Sequence, residues 1–174
     1  MARTDILILS DTHGRSDFIQ KATRLVRPHL IIFCGDGLRD FDGGDYACPV
    51  YAVRGNCDWL YVPHMGDVEE SMTLNLDGLK LFITHGHRFG VKGGLGALIS
   101  RAVQEDADAV IFGHTHEALE MTLLPENTKE RFGISLNKPL HLFNPGSLGY
   151  DPHSFGTLTI KDGVPLFGHG HIKD

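Results

Sequence analysis

The chain has 174 residues, 41% of them apolar and 22% charged, which is typical of one soluble domain, here residues 1–174, with a single sizeable core. No apolar run is long enough to cross a bilayer, and MARTDILILSD lacks the features of a secretory signal, which predicts a cytoplasmic protein without membrane contact. A formal net charge of −6 argues against long nucleic acid as the main partner, because binding a phosphate backbone needs clustered Lys and Arg.

The first part of the chain alternates strand patterns with a helical pattern. DILILS has the character of a short buried strand, and SDFIQKATRLVRPHL then carries apolar residues at helical spacing. Ser16 is placed to cap this helix and Pro28 to end it. LIIFC and VYAV follow as two more strands. Each of these three strands ends in a polar stretch that contains glycine: SDTHG, GDG and RGNCD.

The rest of the chain contains more β structure. SMTLNLDGLKLFITHGH predicts a hairpin that turns at Asp77 and Gly78. A helix is expected around Leu95 to Gln104, followed by the strand DAVIF, and the last third is mostly β. This order predicts an α/β sandwich in which two sheets pack face to face with helices outside. In such folds, ligand sites gather at the carboxyl ends of strands.

The stretch IFGHTHEAL places His114 and His116 one residue apart, just after a predicted strand. Three interpretations are open: two exposed loop histidines, one core and one surface histidine, or two ligands of a metal site. Because a strand sends alternate side chains to opposite faces, the pair can share a site only if the backbone turns after the strand. We expect Gly113 to supply that freedom.

Metal-ligand side chains follow five successive predicted strands. Taken singly, each can be explained as a capping or turn residue. Taken together they are better explained by one centre that binds two metals, since every strand end carries Asp, Asn or His beside a glycine. The proposed ligands are Asp11, His13, Asp36, Asn56, His85, His114 and His116.

Oxygen and imidazole ligands of this kind suit Mn²⁺, Fe²⁺, Zn²⁺ or Mg²⁺. Two ions roughly 3.5–4 Å apart need a bridging carboxylate, and Asp36 is central in the order of strands. Water between such ions becomes hydroxide near neutral pH, while the ions neutralise charge on phosphoryl oxygens. The sequence therefore predicts in-line hydrolysis of a phosphate ester by a hydroxide that bridges two metals.

The motifs DTH, GDG, GNCD, THGH and GHTH, in this order, resemble those of the calcineurin-like metallophosphoesterases. The chain length, RGNCD, THGHRFG and FNPGS resemble the small bacterial and archaeal YfcE-like phosphodiesterase branch. The resemblance covers nearly the whole chain. It implies a four-layer αββα sandwich of two mixed sheets, and a phosphodiesterase acting on a small molecule with two divalent ions. Mn²⁺ is the first choice, with Ni²⁺, Zn²⁺, Fe²⁺ and Mg²⁺ as alternatives.

The resemblance also implies which ligands serve which ion, so that the two histidines of GHTH would bind different metals. We also expect three of the ligands to be catalytic residues: Asp36, Asn56 and His85. The first ion would be held by Asp11, His13, Asp36 and His116, and the second by Asp36, Asn56, His85 and His114.

One position departs from the broad family pattern. The family has a histidine near the leaving group where this chain has Cys57, so Asp58 has no such histidine to orient. Cys57 is either a wall of the pocket or a proton donor, and a thiol pKa near 8.5 favours the wall. His87, two residues beyond His85, either contacts substrate or is an exposed loop residue.

Two other functions compete with a phosphodiesterase. A subunit of the eukaryotic retromer complex resembles this fold and acts as a protein-interaction scaffold, but it departs from the full ligand set. A phosphomonoesterase or phosphoprotein phosphatase is the other alternative, and the short chain leaves little room for loops that would cradle a protein substrate. A homo-oligomer, dimer or tetramer, is compatible with the sequence.

Overall fold

Two five-stranded sheets with helices on their outer faces make up the structure, a computed structural model that describes residues 3–61 and 66–173. The strands are β1 Arg3–Leu9, β2 Leu30–Phe33, β3 Val50–Ala52, β4 Ser71–Leu76, β5 Leu79–Thr84, β6 Ala109–Ile111, β7 Ala118–Leu123, β8 Leu140–Pro145, β9 Ser154–Lys161 and β10 Val164–His171. The helices are α1 Ser16–Val26, α2 Leu38–Phe41, α3 Gly96–Gln104 and α4 Pro125–Phe132, with short 3₁₀ helices at Asn56–Asp58 and His87–Phe89. Within the described ranges, no helix has the length and apolar character of a membrane span.

Both sheets are mixed. The first has the order β10-β9-β1-β2-β3, in which β1, β2 and β3 run parallel and β9 pairs antiparallel with both β1 and β10. The second has the order β4-β5-β6-β8-β7, with a parallel centre of β5, β6 and β8. The hairpin predicted at Asp77 and Gly78 joins β4 to β5 as expected.

Three apolar clusters divide the molecule into four layers. The central cluster joins the facing sides of the sheets, with Ile8 and Ile32 from the first and Ile83 and Ile111 from the second. A second cluster packs the other face of the first sheet against α1 and α2, and a third packs the second sheet against α3. The predicted αββα sandwich is therefore confirmed.

The start of α1 differs from the sequence prediction. Ser16 is the first helical residue, Arg15 occupies the N-cap position, and no side chain caps the helix. The apolar spacing is nevertheless correct, because Phe18 and Ile19 are fully buried against the sheet. The helix ends at Val26, and the C-cap residue Arg27 has left-handed backbone angles and donates its N–H to the Thr23 carbonyl.

Backbone hydrogen bonds bring the strand ends of both sheets together. The Asp11 N–H donates to the Gly35 carbonyl at 2.9 Å, which joins the loops after β1 and β2. The Gly113 N–H donates to the His85 carbonyl at 3.0 Å, which joins the loops after β6 and β5. The Gly149 N–H donates to the Asp11 carbonyl at 2.9 Å, which joins the loop after β8 of the second sheet to the loop after β1 of the first. The polar loops therefore gather in one region at the carboxyl ends of the parallel strands.

Candidate metal centre

Three of the predicted ligands meet after β1 and β6. The side-chain atoms of Asp11, His13 and His116 that could bind a metal lie within 4.8 Å of one another. His116 Nε2 is 3.0 Å from Asp11 Oδ1, and the Nε2 atoms of His13 and His116 are 3.4 Å apart. Asp11 is fully buried, whereas the two histidines are partly exposed, so the group opens toward solvent.

A second group follows β2, β5 and β6. It contains Asp36, His85 and His114, again with their ligand-type atoms within 4.8 Å of one another. His85 Nε2 is 3.3 Å from Asp36 Oδ2, and both side chains are buried. Asn56 is exposed at the start of the 3₁₀ helix Asn56–Asp58, with its Nδ2 3.4 Å from Cys57 Sγ. It lies beside this group because the backbone N–H of the next residue, Cys57, donates to Asp36 Oδ1. Six of the seven predicted ligands are thus brought together in two groups, and Asn56 is their neighbour.

The backbone at most of these positions has left-handed torsion angles. Such angles cost a non-glycine residue free energy, although Asp and His tolerate them better than most residues do. Strained residues of this kind concentrate at functional sites. The positive φ values are 53° at Asp11, 42° at His13, 61° at Asp36, 68° at His114 and 63° at His116.

Gly113 has a different role from the one expected. It does not have a positive φ, so the turn after β6 is made by the histidines themselves. A Cβ atom at position 113 would overlap Ser10 Oγ and lie 2.8 Å from Asp11 Oδ2. Glycine is therefore needed so that the loop after β6 can approach the end of β1 closely.

Two unsatisfied atoms show that the groups fit a metal. Asp11 Oδ1 and His85 Nε2 are buried and, in the described part of the chain, make no contact with hydrogen-bond geometry. Their close polar neighbours, His116 Nε2 and Asp36 Oδ2, are ligand-type atoms of the same groups. His85 Nδ1 contacts the Cys34 carbonyl at 2.7 Å, and a carbonyl only accepts, so Nδ1 carries the proton. Once Nε2 has lost its proton, His85 presents the lone pair of that atom to the site, as a metal-binding histidine does.

Burial and opposite charges shift the pKa values of the site residues in different directions. Burial would raise the pKa of Asp11, but its contacts with His116 and His13 hold it well below the usual range. Burial likewise opposes the contact with His85 that lowers the pKa of Asp36. Burial lowers the pKa of His114 to about 4. The carboxylates are thus ionised and His114 is neutral at neutral pH, which are the states that bind metal.

Asp58 holds two of the site loops in place, a role that the sequence analysis did not assign to it. Its buried carboxylate accepts hydrogen bonds from the backbone N–H groups of Asp36, Gly37, Leu38 and Gly55 at 2.8–3.0 Å. It therefore ties the loop after β2 to the loop after β3. The sequence GNCD draws attention to Asp58. Its three partners in the loop after β2, about twenty positions earlier in the chain, can be identified only from the fold.

Cys57 and His87 lie at the edge of the second group. Burial and the nearby Asp36 raise the pKa of the Cys57 thiol to about 11, although the residue as a whole is exposed. Its backbone N–H donates to Asp36 Oδ1 at 2.8 Å. His87 is half-buried, with its ring centroid 5.4 Å from that of His85 and its Nε2 3.7 Å from Glu70 Oε1.

Asn144, near the end of β8, and Tyr150, in the loop that follows, support the first group. The Tyr150 ring lies 5.0 Å from the His13 ring and 5.1 Å from the His116 ring, measured between centroids. Asn144 Nδ2 donates to the Gly113 carbonyl at 2.9 Å and so fixes the loop that carries His116. No spacing in the sequence indicates the Tyr150 contacts, because that residue comes from a distant segment.

Comparison with known proteins places these observations in a family. A probable metallophosphoesterase of Bacillus subtilis, YsnB, is 34% identical over 165 residues, covering 91% of this chain and 85% of that protein. The phosphodiesterase YfcE of Escherichia coli is 34% identical over 124 residues, which is 66% of this chain and 54% of YfcE.

The fold is also shared with solved structures of low sequence identity. The structure of vacuolar protein sorting 29 from Cryptosporidium parvum matches with a TM-score of 0.67 at 14% identity, over 99% of both chains. This likeness concerns the fold alone. The family model for the calcineurin-like phosphoesterase superfamily domain matches residues 5–163. The chain therefore belongs to the calcineurin-like phosphoesterase superfamily.

Proposed function

We propose that this protein is a phosphodiesterase that uses two divalent metal ions to hydrolyse a small phosphodiester by in-line attack of water. The observation that carries the proposal is the pair of adjoining ligand groups. Asp11 connects them, because its Oδ1 faces His116 while its Oδ2 accepts a hydrogen bond from the His114 backbone N–H at 3.1 Å. One group suits one ion, and two adjoining groups suit the pair used in phosphate ester hydrolysis.

Asp36 is proposed to bridge the two ions. Asn56 and His85 are proposed to bind the second ion together with Asp36 and His114. The Cys57 N–H fixes Asp36 Oδ1, and Oδ2 faces His85, so the carboxylate is oriented before any ion binds. When bound, two divalent ions lower the pKa of water and neutralise charge on phosphoryl oxygens. Oxygen and imidazole donors suit Mn²⁺, which we propose as the metal, with Ni²⁺, Zn²⁺, Fe²⁺ and Mg²⁺ as alternatives.

A diester is favoured over a monoester by charge and by the lack of an acid. The centre has no histidine at position 57, and a thiol with a pKa of about 11 protonates a leaving group poorly near neutral pH. Substrates with good leaving groups should therefore react best. A diester carries one negative charge on its phosphoryl oxygens, whereas a monoester carries close to two. Fewer charged oxygens of a diester would therefore occupy binding positions on the two ions.

Hydrolysis of matched aryl esters tests the proposal. The purified protein is loaded in turn with each of the five metals and assayed on bis(4-nitrophenyl) phosphate and 4-nitrophenyl phosphate. We expect the diester to be cleaved at least tenfold faster and Asp36→Ala to lose activity together with both ions. A faster monoester reaction would identify a phosphomonoesterase. No metal-dependent hydrolysis of either ester, with both metals bound, would favour a scaffold.

The scaffold alternative rests on fold likeness to vacuolar protein sorting 29. We favour the hydrolase because all seven ligand positions carry ligating side chains, and six of them converge. A scaffold gains nothing from unsatisfied buried atoms such as Asp11 Oδ1 and His85 Nε2, which cost stability when no ligand occupies them.

A further inference from the structure

A groove runs from the candidate metal centre along the 3₁₀ helix Asn56–Asp58. Its volume is about 360 Å³. His13 and Asp36 lie at its inner end, and Trp59, Leu60 and Tyr61 line its outer part. Because His13 and Asp36 belong to different ligand groups, the groove opens onto both halves of the centre.

Two large apolar side chains stand exposed in this groove. Trp59 is 72% and Leu60 is 76% exposed, and they are consecutive in the chain. The backbone under them is held, since the Tyr61 N–H donates to the Asp58 carbonyl at 2.9 Å and Arg54 Nη1 donates to the Tyr61 carbonyl at 2.7 Å. A fixed turn that presents adjacent apolar surfaces beside a polar centre is typical of a ligand contact.

The lining of the groove includes the carboxylates of Asp36, Asp40 and Asp58, so the anionic part of a ligand belongs at the metal centre and its apolar part in the outer groove. The Asp40 carboxylate is already engaged, since it accepts hydrogen bonds from Thr12 Oγ1 at 2.5 Å and from the Gly14 N–H at 2.8 Å. The Arg39 guanidinium lies 5.3 Å from the centroid of the Tyr61 ring and adds a positive charge to the same wall. The outer groove thus combines an aromatic face, an aliphatic side chain and a cation.

We propose that this groove binds a planar aromatic ester group of the phosphodiester, stacked on Trp59, while the phosphate lies at the metal centre. The inference rests on the proposed function and adds the substrate class to it. An indole face exposed beside Leu60 binds planar rings through stacking and burial of apolar area. The ring can be a simple aryl group or a nucleobase, since both present a π face.

Trp59 is the only tryptophan of the chain, so its fluorescence reports directly on the groove. The full chain loaded with Mn²⁺ is titrated with phenylphosphonate, methylphosphonate and adenosine 5′-monophosphate, with N-acetyltryptophanamide as the optical control. We expect a saturable change in emission with phenylphosphonate and a Kd about tenfold lower than for methylphosphonate. Adenosine monophosphate binding more tightly than phenylphosphonate identifies a nucleobase as the ring, and weaker binding identifies a simple aryl group.

Variants separate the groove from the metal centre. By calorimetry, Trp59→Ala and Leu60→Ala should lose most of the preference for phenylphosphonate and keep methylphosphonate affinity within about twofold. Leu166→Ala is the matched control, because Leu166 is also an exposed leucine, at 69%, but lies far from the groove. Leu166 is opposite Thr159, and Thr159 is opposite Asp5, near the end of β1 that is farther from Asp11. If the wild type binds both phosphonates with equal affinity, the groove does not bind the aromatic group, and the proposed function is unaffected. If neither phosphonate binds and no ester is hydrolysed, both are overturned.

Discussion

His114 and His116 stand one residue apart, yet their imidazoles belong to different ligand groups. Left-handed backbone at both positions is what lets two side chains at this spacing reach one region of the molecule. The intervening Thr115 accepts a hydrogen bond from Asn144 at 3.1 Å, which helps to hold the turn. The spacing alone allows several interpretations, and the left-handed backbone is compatible with the one in which both imidazoles face the candidate centre.

Single substitutions of these histidines should therefore remove different ions. We expect His114→Ala and His116→Ala each to retain about one of two bound Mn²⁺ ions, since each leaves the other group complete. Metal analysis after dialysis measures the ratio. His171→Ala, at an exposed position on β10, is the control and should retain both ions. Full occupancy in both site variants would contradict the ligand assignment.

Cys57 is expected to be dispensable for good leaving groups. Its backbone N–H, and not its side chain, donates the hydrogen bond that fixes Asp36 at 2.8 Å. Cys57→Ala should therefore hydrolyse bis(4-nitrophenyl) phosphate within about twofold of wild type. Cys57→His should accelerate diesters of poor leaving groups at least tenfold, since general acid help is typically worth about 10²–10⁴-fold.

The comparison is made over aryl diesters of graded leaving-group pKa. A flatter dependence for Cys57→His than for wild type supports the missing-acid argument. Loss of activity in Cys57→Ala with its metals retained would instead make the thiol part of the reaction. An unchanged dependence in Cys57→His would remove this physical reason for the preference for activated diesters.

At the scale of elements, the 3₁₀ helix Asn56–Asp58 joins the loops after β2 and β3 through one carboxylate. Asp58→Ala removes the acceptor of four backbone N–H groups, most of them buried. We expect a loss of about 3–5 kcal/mol in the free energy of unfolding, because unsatisfied buried donors cost about 1–3 kcal/mol each and part of the loop can relax. Urea denaturation measures it.

The control for Asp58→Ala is Asp17→Ala. Asp17 is largely exposed and pairs with Arg15 at the surface, where an ion pair contributes about 0–1 kcal/mol. A cost for Asp58→Ala no larger than that for Asp17→Ala would show that the carboxylate does not hold the loops. Metal affinity should fall in the Asp58 variant alone, since Asp36 is one of the residues that it positions.

The contact between the ends of β1 and β6 depends on Gly113. In Gly113→Ala, the new methyl group would overlap Ser10 Oγ and approach Asp11 Oδ2, so the loop must move. We expect a destabilisation of about 1–3 kcal/mol, as for other overpacked sites, together with weaker Mn²⁺ binding. Gly96→Ala is the matched control, because that position begins α3 and has open space around it. Unchanged metal affinity in Gly113→Ala would contradict the proposed role.

The elements predicted from local patterns were those with a simple apolar signature. α1 has apolar residues at helical spacing, the β4–β5 hairpin has turn residues between two strand patterns, and β2 and β6 are short, continuously buried apolar runs. β7 and α4 lay outside the sequence prediction, and α4 buries only Thr128, so its sequence carries little apolar periodicity. The cap at Ser16 was wrong because capping depends on the exact residue at which a helix begins.

The candidate site shows the same division. Asp, Asn and His beside glycine at successive strand ends could be recognised from the sequence, because parallel strands bring their carboxyl ends to one edge. The bonds from Asp58 to Asp36 and the contact of Tyr150 with His13 join segments 22 and 137 positions apart in the numbering. Only the packing of the two sheets determines such contacts. The close approach that requires Gly113 belongs to the same class.

At the scale of the whole molecule, the acidic chain buries two carboxylates at the candidate centre, in the loops where the two sheets meet. The net charge is −6, and two buried carboxylates lie at the candidate centre. In the protein without metal, nearby histidines compensate part of that charge. The contact with Asp11 raises the pKa of His13, and the contacts with Asp36 and Asp11 raise the pKa of His85 against the effect of its burial.

These shifts predict how pH acts on metal binding. A histidine whose pKa is raised on folding stabilises the metal-free protein fully below its unfolded pKa, near 6.5, and loses that contribution as pH rises through the folded value. Mn²⁺ must displace the same protons from His13 and His85, but none from His114, whose pKa is lowered to about 4. Raising the pH therefore weakens the metal-free centre and strengthens metal binding.

We accordingly expect the Kd for Mn²⁺ to fall with rising pH, by up to about tenfold per pH unit for each proton released, and to level off once the pH has passed the raised pKa values of His13 and His85. Calorimetry in buffers of different ionisation heat counts the protons. The rise in Tm on adding Mn²⁺ should grow over the same range. Titratable groups distant from the centre affect the metal-free and metal-bound proteins equally, so their contributions cancel in this difference. Hydrolysis should follow, rising with pH to a plateau. A pH-independent Kd, or a rate maximum at pH 5 with metal fully bound, would contradict binding by these histidines.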